Sequence, residues 1–379
     1  VLTLTHSPLW LGVVAGAGQL PYLLFTLAGG SLADRFPRRP LIAIGNALIA
    51  LLALALALLV ARGDVTIVVL AALAFAIGTV IALEHPVDRA WLYDLVEGEG
   101  LGRAIALSSL EWSMARTVGP AIGGITLAAV GAATGYATFA ATELPMIALA
   151  LILGRRTRPR ASSASGERVT ADTSPRTSRV APRAPDIARS YATLDFTIVP
   201  FSMTIAAFTF GVTPYIALLP IIANGTLHAD ARGFGFLSAC GGIGAIAGAV
   251  VLSAIGETSR KGRAVPLAML AGAALLVAFA FARDLALAGA VLAALGAVDT
   301  LMYALANTYV QERARDEDRG RANGVFSLAF LGGIPIGNVA LGALAARVGA
   351  GPALSVGAGV AAVAALGFWF LAPRARDAA

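Results

Sequence analysis

Long uncharged runs separated by short basic turns constrain this chain more than any other feature. A helix needs about 20 apolar residues to cross a bilayer. Eleven stretches qualify, at 10–32, 41–60, 65–84, 104–130, 133–153, 195–222, 233–255, 264–282, 285–306, 322–346 and 352–371. Transmembrane barrels use short alternating strands, so the pattern predicts an all-α polytopic protein. Composition agrees, with 58% apolar and 13% charged residues in 379, against about a quarter charged in a soluble domain. The net charge of +6 is therefore no nucleic-acid footprint. The chain's lipid-facing partner is the bilayer itself.

The basic residues give an orientation. If the turn at 33–40 is cytoplasmic, nearly all of the 28 lysines and arginines fall on the cytoplasmic side. Only Arg62, Arg232, Arg283 and Arg347 fall on the other, and Arg116 lies inside a span. Segment 154–193 is rich in Ser, Thr, Pro and Arg and is expected to be a flexible cytoplasmic linker, because it has too few apolar residues to bury a core. It separates an N-terminal bundle (1–153) from a C-terminal six-helix bundle (194–371) and a cytoplasmic tail (372–379). Five spans precede the linker and six follow it. Symmetry between the halves predicts that most of a first helix is missing before Val1. Both termini then face the cytoplasm of what the Arg-rich, Ala-rich composition suggests is a bacterium, with the protein in its inner membrane.

The turn between the first two spans reads Gly30, Asp34, Arg35, Arg38 and Arg39, with Pro37 before the last two. Its sequence, position and flanking spans resemble the signature loop of the major facilitator superfamily, and the resemblance runs from Val1 to about Leu371. It implies two six-helix bundles and a secondary active transporter, expected as a monomer without cofactor or metal. It also implies that the loop's aspartate and arginines lock one conformation. Proline stands at position 37 where glycine is usual and cannot take positive φ. A worn copy at Gly256–Arg263 keeps its basic charge but not the Asp-Arg pair.

Within 104–130 the run Gly119-Pro120-Ala121-Ile122-Gly123-Gly124 resembles the helix-five motif of superfamily members that exchange substrate for protons. Small-residue helix packing explains the same residues. With Asn307, Gln311, Arg319–Arg321 and Gly333–Gly337, the chain resembles the subgroup called transmembrane secretion effectors, which includes macrolide efflux permeases and the enterobactin exporter. That implies proton-coupled efflux of an amphipathic small molecule, with protons and the substrate as partners. Import of a small metabolite on the same scaffold is the alternative, and a non-functional truncated copy is another. No nucleophile motif, phosphate loop or metal-spaced His/Cys cluster points to an enzyme.

Ionisable residues inside spans cost about 2.5–3.5 kcal/mol each on insertion scales and tend to be functional. Glu111, Arg116, Glu143 and Asp299 are the candidates for proton coupling, with Arg116 and Glu143 at similar depth and expected to pair. Glu84 lies nearer a span end and is expected to be a surface acid. Gln19, Tyr22, Trp112, Asn307 and Asn338 are the polar and aromatic candidates for lining a substrate path.

Overall fold

The computed structural model describes residues 1–5, 7–96, 101–153, 197–255, 261–315, 318–373 and 376. The linker expected at 154–193 lies outside the described residues. Among those described, the chain is helical throughout. After a one-turn helix α1 (Leu2–Thr5) come α2 (Pro8–Arg35), α3 (Arg38–Arg62), α4 (Ile67–Leu95), α5 (Leu101–Thr142) and α6 (Leu144–Leu153). The second half contains α7 (Ile198–Gly211), α8 (Tyr215–Ile221), a π-helical turn (Ile222–Thr226), α9 (Ala231–Ile255), α10 (Lys261–Ala280), α11 (Leu285–Arg313), α12 (Arg319–Val348) and α13 (Ala350–Leu371).

Local chemistry places the turns. Gly63 ends α3 in the left-handed region at φ 76°, where a Cβ is disfavoured. Thr66 caps α4 by accepting from the Val69 N–H at 3.3 Å. Asp284 caps α11 by accepting from the Leu287 N–H at 2.8 Å. In α5, Gly131 takes φ 78° and ψ 173° and kinks the rod into two limbs.

Among the described residues, ten helical stretches are long and apolar enough to cross a membrane. The eleventh expected span, 104–130, is helical as the first limb of α5 but is not among the ten. Two expected continuous spans are broken. The stretch 133–153 is interrupted at Glu143, where α6 begins with Pro145 at its second position, a place that tolerates proline's missing N–H. The stretch 195–222 is interrupted by the turn Val212–Pro214 and passes into the π-helical turn. Hydropathy alone does not register either break, because each long run stays apolar enough to span despite Glu143 in one and Thr213-Pro214 in the other.

The packing repeats between the halves. Helix α2 lies on α4 as α9 lies on α11, α3 lies on α4 as α10 lies on α11, and α3 lies against α5 and α6 as α10 lies against α13. The bundles meet along α2 with α12 and along α5 with α9. Exchanging the halves turns one of these contacts into the other, which is a pseudo-twofold relation. The C-terminal bundle has an extensive buried core, with Phe201, Phe208, Leu237, Leu276 and Phe279 at 1% exposure or less. Among the described residues of the N-terminal bundle, Ile42, Val87, Trp91 and Ala150 form a buried cluster.

Candidate functional site: the polar layer between and within the bundles

The site residues fall into three places. The first is the turn between α2 and α3, at the arginine-rich end of the molecule. Arg38 donates from Nη1 to the Ala90 carbonyl on α4 at 2.9 Å. Arg39 donates to the carbonyls of Ala150 and Leu151 on α6. Both guanidinium groups thus satisfy carbonyls near helix C-termini, where the macrodipole favours a cation. Pro37 enters α3 directly at φ −59°. Arg35 is exposed. The surroundings of Gly30 and the side chain of Asp34 lie outside what the structure describes.

In the second half, the worn copy partly recovers its function as a tie. Positions 256–260 lie outside the described residues, but Lys261 at the start of α10 pairs with Glu312 on α11 at 2.7 Å. The ion pair crosses between the helices equivalent to α3 and α4. Sequence comparison of the two loops missed it because the acid comes from another helix.

The second place is the layer at mid-depth. Counting 1.5 Å per residue from Arg35 and Arg313 puts Tyr22 and Asp299 each about 20 Å from the arginine-rich end. Tyr22, Asp299 and Asn307 are half-buried and Gln19 is exposed. Asp299, Tyr303 and Asn307 follow at four-residue spacing on one stripe of α11, while Met302, Ala306 and Val310 beside it are buried. Tyr303 stacks on α12, with its ring 4.7 Å from Phe330 and 5.9 Å from Phe326. Asn307 accepts from the Gln311 amide at 3.0 Å. This wall joins an acid, an amide and three aromatic rings. The aromatic part was legible only as an i, i+4 pair on α12, which any packing helix shows.

Asn338 takes a different place from the one expected. It is 5% exposed and packs in the seam between bundles, where a Cβ on Gly12 of α2 would collide with its backbone carbonyl. Gly342 of α12 meets Gly12 in the same seam. Asn338 therefore belongs to the contact of α2 with α12 and not to an open wall. In α5, the side chains of Glu111, Trp112, Arg116 and Pro120, and residue Gly124, lie outside the described residues. Gly119 and Gly123 are exposed, with nothing described within 4 Å of a Cβ on either.

The third place was not expected. Glu84 is 8% exposed, so it is not a surface acid. It faces α3, where the Asn46 side-chain amide donates to its Oε1. Asn46 is itself 7% exposed. A Cβ on Gly45 would fall 2.6 Å from Glu84 Oε2, so glycine makes the room. Counting residues from a helix end treats a helix as if it faced water there, and α4 faces α3 instead. The available signal was Asn46, the one polar side chain in the run 41–60. Glu143, at the start of α6, and Asp88 both lie within electrostatic range of Glu84. Among the described residues no group of three or more His, Cys, Asp or Glu is arranged to hold a metal.

Comparison with known proteins agrees with this architecture. A bacterial homologue of the human lysosomal transporter Spinster, solved in an inward-facing and occupied conformation, superposes with a TM-score of 0.70 at 15% identity, covering 97% of this chain and 90% of that one. A mutant of the nucleoside transporter NupG gives 0.66 at 15% identity, covering 96% and 90%. At that identity the likeness establishes the fold. The staphyloferrin A transporter of Staphylococcus aureus (strain NCTC 8325 / PS 47) is 29% identical over 137 residues, 36% of this chain. That match spans about a third, 34%, of the relative's own length. Residues 1–379 match the transmembrane secretion effector family, and with two pseudo-symmetric bundles around a polar layer the chain belongs to that family of major facilitator superfamily transporters.

Proposed function

We propose that this transporter exports an amphipathic small molecule by alternating access, driven by protons. The observation that carries the reading is the match of the whole chain to a family of secretion effectors. The mid-depth wall of Asp299, Tyr303 and Phe330 supports it, since aromatic faces with a few polar groups suit a loosely specified amphipathic ligand. The partial likeness to a staphyloferrin A transporter makes a siderophore-like molecule the first substrate to try. The bundles rock about the seam of α2 with α12 and α5 with α9, and substrate binds between them.

In this reading the arginine-rich end faces the cytoplasm of a bacterial cell, with both termini and segment 154–193 on that side. Gly30, Asp34, Arg35, Arg38 and Arg39 hold the loop that biases the two-state equilibrium. Glu111, Asp299 and Glu143 are the acids named for the proton, and Arg116 is their partner.

The test is accumulation of ethidium, erythromycin and staphyloferrin A in cells expressing the protein, with and without a protonophore. Export predicts lower accumulation of at least one of them, abolished by the protonophore. Higher accumulation would establish import instead. Normal export by both Asp299→Asn and Glu111→Gln would remove those two acids from the coupling role.

A further inference from the structure

Two described acids are more than nine-tenths buried, Glu84 and Asp318. Asp318 is met by Arg321 at 2.7 Å. Among the described residues no cation pairs with Glu84. Instead it is met by an amide, that of Asn46, and by the bare backbone of Gly45. These neighbours come from consecutive residues on one helix, α3, and each is needed. Among the described residues, Gly45 leaves the space for the carboxyl and Asn46 supplies the donor to it. A carboxyl inside a span is expensive and functional by default, and packing does not require this one.

We infer that Glu84 carries a proton in the transport cycle, seated by Asn46 and Gly45 in the wall between α3 and α4. This rests on the proton-driven reading above and gives the proton a site outside the central acids. Oε1 accepts from Asn46, so Oε2, the oxygen nearest Gly45, takes the proton. The one bond formed is O–H; the proton comes from water and returns to it, with no other bond changed. The neutral form suits the closed wall, and the charged form suits a wall that water has entered. Asp88 lies one helical turn nearer the arginine-rich end, at the i, i+4 spacing that makes side chains neighbours. It is the relay between Glu84 and that end.

The surrounding charges fit a moving part. Asp88 and His85 lie on α4 itself, and α6 contributes Glu143. From α3, Arg38 and Arg39 bind carbonyls near the ends of α4 and α6. From α2 and α5 the described titratable groups are Tyr22 and Tyr136, both half-buried, and Arg35, exposed at the end of α2. Arg38 and Arg39 thus tie α3 to the helices that carry the three acids. A proton on Glu84 changes the repulsion among these acids within the bundle that holds the signature turn.

The test needs no substrate. Spin labels replace Phe36 and Arg315, both exposed and at the same end of opposite bundles, in a Cys240→Ala background reconstituted in lipid. Pulsed electron paramagnetic resonance then reads the distance between bundles at about pH 5.5 and 8.5. The expected result is two distance populations whose ratio follows pH. Glu84→Gln should hold the low-pH ratio at both values, and Asp64→Asn, an exposed acid in the turn between α3 and α4 at the opposite end, should still respond. Asn46→Ala should move the midpoint by about half to one pH unit, the worth of one hydrogen bond; it answers the question even if Glu84→Gln does not fold. A Glu84→Gln protein that follows pH like the parent, or an Asn46→Ala midpoint that does not move, overturns the proposal and leaves proton-driven transport standing. A parent protein with no pH response overturns both.

Discussion

Helices α5 and α12 hold equivalent positions in the two bundles, yet their glycine faces meet different surroundings. On α12, Gly333 and Gly337 are covered by α7: a Cβ on Gly333 would collide with Thr209 and Ala206, and one on Gly337 with Phe210. On α5, a Cβ on Gly119 or Gly123 meets nothing described within 4 Å. Similar strings of Gly, Pro and small residues therefore do two things here. One is a seat filled by α7, and around the other no described residue lies close enough to fill it. A small-residue motif states how closely a helix can approach; it does not state that a helix has done so. The described core is extensive where α7 lies across α12 and α13.

This difference can be broken by mutation. The largest effect is expected for Phe201→Ala. Phe201 is 1% exposed and touches the rings of Tyr309 at 4.3 Å and Phe368 at 5.4 Å, so its loss should cost about 3–5 kcal/mol. Thermal unfolding followed by size-exclusion fluorescence in detergent would read it. Next comes a paired comparison. Gly337→Leu forces α7 from α12 and should cost about 3 kcal/mol, whereas Gly119→Leu should change stability by no more than about 0.5 kcal/mol. Equal losses in the two variants would mean that the α5 face is covered in the folded protein.

A smaller effect is expected at Asn46→Ala, about 1–3 kcal/mol, because the carboxyl of Glu84 then loses its donor. The same thermal assay applies, and no change would mean that Glu84 is hydrated in solution. The smallest belongs to Lys261→Ala. Its partner Glu312 is 54% exposed, and a pair so open to solvent is worth at most about 1 kcal/mol. A double-mutant cycle with Glu312→Gln would measure that coupling directly.

Much of the fold could be read before any coordinates. Uncharged runs of membrane length can be nothing but spans in a chain this apolar, and the turn at 30–39 marks where two of them reverse. The helix boundaries at Gly63, Thr66 and Asp284 rest on local chemistry, and so they too were legible. The breaks at Glu143 and at Val212–Pro214 were not, since one acid or a Thr-Pro pair does not take a long apolar run out of the spanning range. The candidate site was read less well. Tyr22 and Asp299 lie at one depth, which residue counting can supply. Asn338 lies against α2 through its backbone, a contact that residue type and depth do not specify. Glu84 was misplaced because depth along a helix says nothing about which neighbour the helix faces.

The amino-acid order by itself determined that this chain is a polytopic helical membrane protein with a repeated half and a basic reversal turn. Those properties depend on hydropathy and on charges near one another in the chain. Only the tertiary structure decided that Lys261 finds Glu312, that Arg39 reaches α6, that α7 fills the glycine face of α12, and that Gly45 and Asn46 close around Glu84. Each of those depends on the rotation of one helix about its own axis against another. That angle is set by the summed fit of both surfaces, and no single segment contains it.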